Sequence, residues 1–212
     1  MMADQILEIR RLLKWKVFEI YAPPRAMEIV SDPWQRSHTI YLPQPDDDWR
    51  DIEYLHELAH SYLAETVHPL LGTAYFAKGT PQKWIDRFEW PKRTAADWFA
   101  DDLLIRWCPD EEREEIAEHV ELMANAKSFT DQFLKFGAGL MFAQAVQYRV
   151  AHPPVPREVA PVVEILRGIR PNNPSLRNMR RLINRLATLT TAHQLIVVSE
   201  PNNFDVWGID DN

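Results

Sequence analysis

Residues 54 to 63 read Tyr54-Leu55-His56-Glu57-Leu58-Ala59-His60-Ser61-Tyr62-Leu63. In an α-helix, positions i and i+4 lie one turn apart on one face, so His56 and His60 present two imidazoles in the same direction. Two imidazoles so spaced are a pair of ligands for one zinc ion. Glu57, rotated by about 100° from His56, reaches a water at that metal rather than the metal itself. Zinc lowers the pKa of such a water and polarises a carbonyl, Glu57 takes the proton as general base, and the chemistry that results is amide hydrolysis. The bland alternative is an exposed helix that carries two His and a Glu by chance. Against it, Tyr54, Leu55, Leu58, Tyr62 and Leu63 supply apolar surface to bury the rest of the helix.

Upstream, Asp46-Asp47-Asp48 offers an N-cap and favourable charge for this helix, which runs through Ala64. Before it, AMEIV at 26 to 30 and SHTIYLP at 37 to 43 are rich in β-branched and aromatic residues. Separated by the turn-like Ser31-Asp32-Pro33, they read as strands of one small sheet. From Ala3 to Ala22 the residues Ile6, Ile9, Leu12, Leu13, Val17 and Ile20 recur at helical intervals, and Pro23-Pro24 ends that helix. Downstream, 69 to 81 is a loop, and a short helix from Gln82 to Phe88 breaks at Pro91. Lys92 to Trp107 forms a second helix, with Ala96, Phe99, Ala100, Leu103 and Leu104 on one face. Helices at about 110 to 126, 129 to 150, 156 to 168 and 174 to 190 follow, and Leu195 to Val198 is strand-like.

The 212 residues (24.8 kDa) suit one domain or one with an appendage, and 46% hydrophobic with 26% charged residues excludes wholesale disorder. Six Gly against 16 Pro disfavours a turn-rich all-β fold, which leaves α+β, mainly α. The single cysteine, Cys108, cannot make an intrachain disulfide, and residues 1 to 24 lack the uninterrupted apolar core of a signal peptide, so the expected compartment is the cytoplasm. No stretch reaches the roughly 18 apolar residues of a membrane span, and no membrane partner is expected. The formal charge of −7 is uneven: residues 151 to 190 hold seven Arg and two Glu, hence +5, leaving −12 for the remainder. A basic face meeting an acidic partner, or another part of the same chain, follows from that split.

A zinc site needs a third protein ligand. Metzincins place a Gly and a third His soon after the motif, where this chain has Leu63 and Thr66, so that arrangement is excluded. His68 is out of phase and precedes Pro69, and reads as a loop-packing histidine. A ligand from a second helix remains. The strands, the acidic helix start, HELAH, and the helix Arg93-Thr94-Ala95-Ala96-Asp97-Trp98-Phe99-Ala100-Asp101-Asp102-Leu103-Leu104 together resemble the ImmA/IrrE-type metallopeptidases of bacteria and their phages. The family's second helix typically reads E-x-x-A-(N/D)-x-F-A-x-x-L-L, with the leading Glu as third zinc ligand. The match holds at Ala96, Asp97, Phe99, Ala100, Leu103 and Leu104 and spans residues 25 to 107. The resemblance implies a zincin-like sheet with active-site helices over residues 1 to 108, a helical extension over 109 to 212, Zn²⁺ as cofactor, and a protein substrate such as a transcriptional repressor.

The chain departs from the family at the ligand position, which is Arg93, a permanent cation that cannot bind zinc. Three outcomes are open. Asp97, one turn along the same face, serves as third ligand beside His56 and His60. Asp101, Glu65 or Glu89 substitutes. Or the site is degenerate, with Arg93 in the metal position or paired with Glu57, and the chain is a non-catalytic binding or regulatory protein. Of these, the set His56, His60 and Asp97 with Glu57 as base is the leading expectation.

Other features read as structure. The run Asp110-Glu111-Glu112-Arg113-Glu114-Glu115 is a solvated first helical turn. Cys108 packs at a helix end, and Gly137 and Gly139 mark close helix packing. The basic helix Asn173 to Thr190 sets Leu176, Met179, Leu182, Ile183 and Leu186 inward and its arginines outward. It suits a regulatory protein partner better than DNA, since no helix-turn-helix signature is present.

Overall fold

The computed structural model describes residues 2–22, 27–43, 51–73, 75–126, 128–201 and 204–210. The expected Asp46-Asp47-Asp48 cap and the Pro23-Pro24 stop lie outside these residues.

The chain opens with helix α1 (Met2–Leu12), then strands β1 (Lys16–Tyr21), β2 (Glu28–Asp32) and β3 (Ser37–Leu42). The single helix expected from Ala3 to Ala22 is therefore incorrect. Val17 and Ile20 continue the helical period of Ile6 and Ile9, but the segment KVFEIY is β-branched and aromatic at four of six positions, and it pairs in parallel with β3 from Lys16↔Ser37 to Tyr21↔Leu42. The sheet order is β1-β3-β2, with β2 antiparallel to β3. The β2–β3 turn lies at residues 33–36, later than the expected Ser31-Asp32-Pro33, because Ser31 and Asp32 pair within β2: Asp32 Oδ1 accepts from the backbone N–H groups of Trp34 and Gln35, both at 2.9 Å, and Arg36 takes the left-handed conformation at φ 51°.

Helix α2 (Asp51–Thr66) lies on this sheet. Ile52, Leu55 and Leu58 pack with Ile9 of α1, Ile29 of β2, and Ile40 and Leu42 of β3. Each such side chain removed from water contributes about 1.5–3 kcal/mol before entropy is counted. A short 3₁₀ turn (Pro69–Leu71) leads to Gly72, where a Cβ would stand 2.9 Å from the carbonyl oxygen of His60 and 2.7 Å from the Cβ of Ala64. Only glycine lets the chain run this close to α2.

Helix α3 (Gln82–Trp107) is continuous, contrary to the expected break at Pro91. The proline removes one bond to the carbonyl of Arg87, an exposed residue whose carbonyl water can satisfy, while the buried ring of Pro91 packs inward. Trp98, Phe99 and Ala100 of α3 are fully buried, and Trp98 Nε1 donates to the carbonyl of Ile169 at 2.8 Å. Against α3 pack α4 (Pro109–Ala124), α5 (Gln132–Tyr148) and α7 (Leu176–Ala187), and α6 (Ala160–Arg167) packs on α5 and α7. A Cβ on Gly139 of α5 would overlap the side chain of Val162 on α6, whereas Gly137 meets nothing. Met179, Leu182, Ile183 and Leu186 of α7 are buried and Arg177, Arg180 and Arg181 exposed, the amphipathic arrangement that the sequence predicts.

The chain then forms a hairpin of β4 (Gln194–Ser199) and β5 (Asp205–Asp210), of which only the first strand is evident in sequence. Trp207 of β5 is fully buried and bridges to Phe76. One apolar cluster extends from Ala59 and Leu63 of α2 through Trp98 and Phe142 to Leu182 and Trp207. The architecture is α+β and mainly helical, and among the described residues no helix is long and apolar enough to cross a membrane.

Candidate metal centre

Helices α2 and α3 cross with His56 and His60 facing Asp97. Nε2 of His60 lies 3.0 Å from Nε2 of His56 and 3.2 Å from Oδ1 of Asp97, and Nε2 of His56 lies 3.7 Å from the same oxygen. A tetrahedral ion with ligand bonds of about 2.0–2.1 Å separates its ligand atoms by about 3.3 Å, a value these three edges bracket. Two imidazoles and one carboxylate are a donor set for zinc, so residues and spacing fit that ion.

Asp101, one turn beyond Asp97, accepts from Nδ1 of His56 at 2.7 Å, and its other oxygen accepts from Nε2 of Gln144 on α5. A carboxylate on Nδ1 fixes the ring and leaves Nε2 for the ion. Without a metal, burial works against the charged form of His56, but the Asp101 and Asp97 carboxylates outweigh it and hold its pKa well above the ordinary range. For Asp97 burial opposes ionisation, and the two histidines overcome it, holding the carboxyl well below its usual range.

Glu57 is buried at the same place, and burial raises its pKa against the pull of His56 and His60. Its carboxyl therefore holds a proton more readily than a surface glutamate, which suits a base that must take up and return one.

The other candidates stand elsewhere. Arg93 is half-exposed, pairs with Glu89 at 3.3 Å and Glu28 at 3.9 Å, and lies over the Trp90 ring. Glu65 accepts from the backbone N–H groups of Lys14 and Trp15 and from Nε2 of the buried His38. His68 bonds Asp205 at 3.1 Å, and its Nδ1 accepts from the Leu70 N–H.

Two cavities meet at the cluster, sharing Met27, His56, Glu57 and Asp97. One, of about 470 Å³, runs along Glu28, Ile29 and Val30 of β2 and past Lys92 and Arg93. Burial, with Arg93 adjacent, lowers Lys92 to about 8. The other, of about 490 Å³, reaches Ile116, Leu140 and Gln144 and includes Glu112. Glu112 corrects the expected solvated acidic turn: it is 3% exposed, and burial together with Asp101 raises its pKa to about 9. Gln144 and Glu112 were missed as site residues, although a signal existed. Cys108, Glu112, Ile116 and Val120 fall at steps of four, so Glu112 occupies an apolar phase of α4.

A scan against protein-family models, a search of curated proteins and a search of solved structures each returned no match.

Proposed function

We propose that this protein is a zinc-dependent peptidase, similar to the ImmA/IrrE type, that hydrolyses a peptide bond in a protein substrate. The observation that carries the reading is the convergence of three ligand atoms, from His56, His60 and Asp97, within 4.8 Å of one another beside a buried glutamate. His56, His60 and Asp97 would hold the ion, and Asp101 orients His56. When bound, zinc supplies Lewis-acid polarisation of a carbonyl and acidifies a water.

Glu57 accepts the proton of the attacking water and returns it to the leaving amine. Strand β2 is a sheet edge whose residues 28 to 30 line one cavity, so an extended peptide can add to it through main-chain hydrogen bonds. A cytoplasmic protein, a transcriptional repressor among them, is the substrate class that this reading implies.

The test is Glu57→Gln. That variant keeps zinc near the parent's affinity and loses proteolysis by at least about 100-fold, the lower range for a general base. Equal cleavage of a protein or peptide panel by parent and variant would overturn the reading.

A further inference from the structure

The cavity on the α4–α5 side carries polarity that the hydrolytic machinery does not use. Its walls are apolar at Ile52, Leu104, Ile116, Leu140 and Met141. Past the metal cluster its polar groups include Glu53, Glu112, Glu115 and Gln144, and among the described residues no lysine or arginine lines it. Glu115 is matched by Nδ1 of His119 at 3.0 Å. Glu112 is 3% exposed and lines the cavity, and among the described residues no hydrogen bond or ion pair reaches its carboxyl. Gln144 is 1% exposed; its amide nitrogen is committed to Asp101, and among the described residues Oε1 has no hydrogen-bond partner. A buried acceptor without a donor, as Gln144 Oε1 is, is costly.

We infer that this cavity is a specificity pocket for a cationic side chain, lysine or arginine, next to the scissile bond. The inference rests on the peptidase reading of the same site. Lysine and arginine heads are donors only, the complement of a carboxylate and an amide oxygen that can both accept. Their methylene stems suit the apolar wall, and the volume of about 490 Å³ lies within the range of ligand pockets. The opposite cavity holds Lys92 and Arg93 beside Glu28, so the two cavities differ in charge and a cationic head favours the α4–α5 side. Entry of the cation displaces to solvent the proton that Glu112 otherwise keeps.

The test uses N-butylguanidinium as probe and its neutral isostere N-butylurea, titrated into the full-length protein with and without zinc. The cation binds at least about tenfold more tightly than the urea, with or without zinc. Glu112→Gln lowers the cation's affinity at least fivefold and leaves the urea unchanged. Met141→Trp, which fills the cavity from a half-buried position, removes cation binding and serves if Glu112→Gln does not fold. Absence of saturable cation binding, equal affinity for the urea, an unaffected Glu112→Gln variant, or displacement of the cation by zinc each overturns the inference. The measurement needs no hydrolysis, so it can fail while the peptidase reading stands. In a peptide panel, faster cleavage beside Lys or Arg than beside norleucine is the matching activity result, and an unchanged preference in Glu112→Gln contradicts it.

Discussion

Asp101 meets Nδ1 of His56 at 2.7 Å, and Asp97, one turn earlier on the same helix, faces Nε2 of both histidines. Under the zinc reading the two aspartates do different work: one sets the ring, the other completes the ligand set. Asp101→Asn should weaken zinc binding by about 10–100-fold, the usual effect of losing an orienting carboxylate. Asp97→Asn should weaken it further. Competition with a chelating dye measures both; equal zinc affinity in parent and Asp101→Asn would contradict the orienting role.

Arg93 stands where the resembled family carries its ligand, yet its guanidinium is turned to Glu89 and Glu28. These are exposed pairs worth about 0–1 kcal/mol each. Arg93→Ala should change zinc affinity by less than about threefold, within what an exposed, ion-paired charge can alter. A tenfold gain measured in the same competition assay would mean that Arg93 obstructs the site.

His38 predicts a pH dependence unrelated to the metal. It is fully buried, with Ser31 Oγ at 2.8 Å from Nδ1 and Glu65 Oε1 at 3.1 Å from Nε2, and Trp15 stacks on its ring. Burial lowers its pKa, and Glu65 only partly offsets this. As pH falls through 6.5, the unfolded chain takes up a proton that the folded chain refuses, so stability drops from there to the folded pKa. The slope approaches about 1.4 kcal/mol per pH unit at most. His56, whose pKa is raised, acts with the opposite sign, losing stability as pH rises. The measurement is therefore the difference in urea midpoints between parent and His38→Gln in chelator, at pH 7.5 and 5.5. The parent should lose more on acidification, and parallel curves would contradict the account.

What the sequence makes legible is periodic. His56 and His60 are four apart and Asp97 and Asp101 are four apart, so helical phase alone brings each pair to one face. Which aspartate touches which nitrogen depends on how α2 and α3 cross, a product of packing around Trp98 and Phe99 that no local spacing encodes. The misread elements share a cause. Residues 16 to 21 carry both a helical period and β-branched side chains, and pairing with β3 decides between them. Pro91 signals a break, but a buried ring and a solvated Arg87 carbonyl let α3 continue. In β5, Gly208 hides a strand that exists through its partner β4: a Cβ there would stand 2.6 Å from Val198. Glu112 looked solvated because its neighbours are charged, although its phase along α4 is that of Ile116 and Val120. Of the eight tryptophans, Trp98 and Trp207 are fully buried in the core.

The central claim is that His56, His60 and Asp97 form a zinc site. Its most direct test is the metal content of the purified protein after exposure to zinc and desalting, read by atomic emission beside Asp97→Ala treated identically. The account predicts one zinc per chain in the parent and a loss of most of it in the variant. A parent that retains no stoichiometric metal, or a variant that retains as much as the parent, would contradict it.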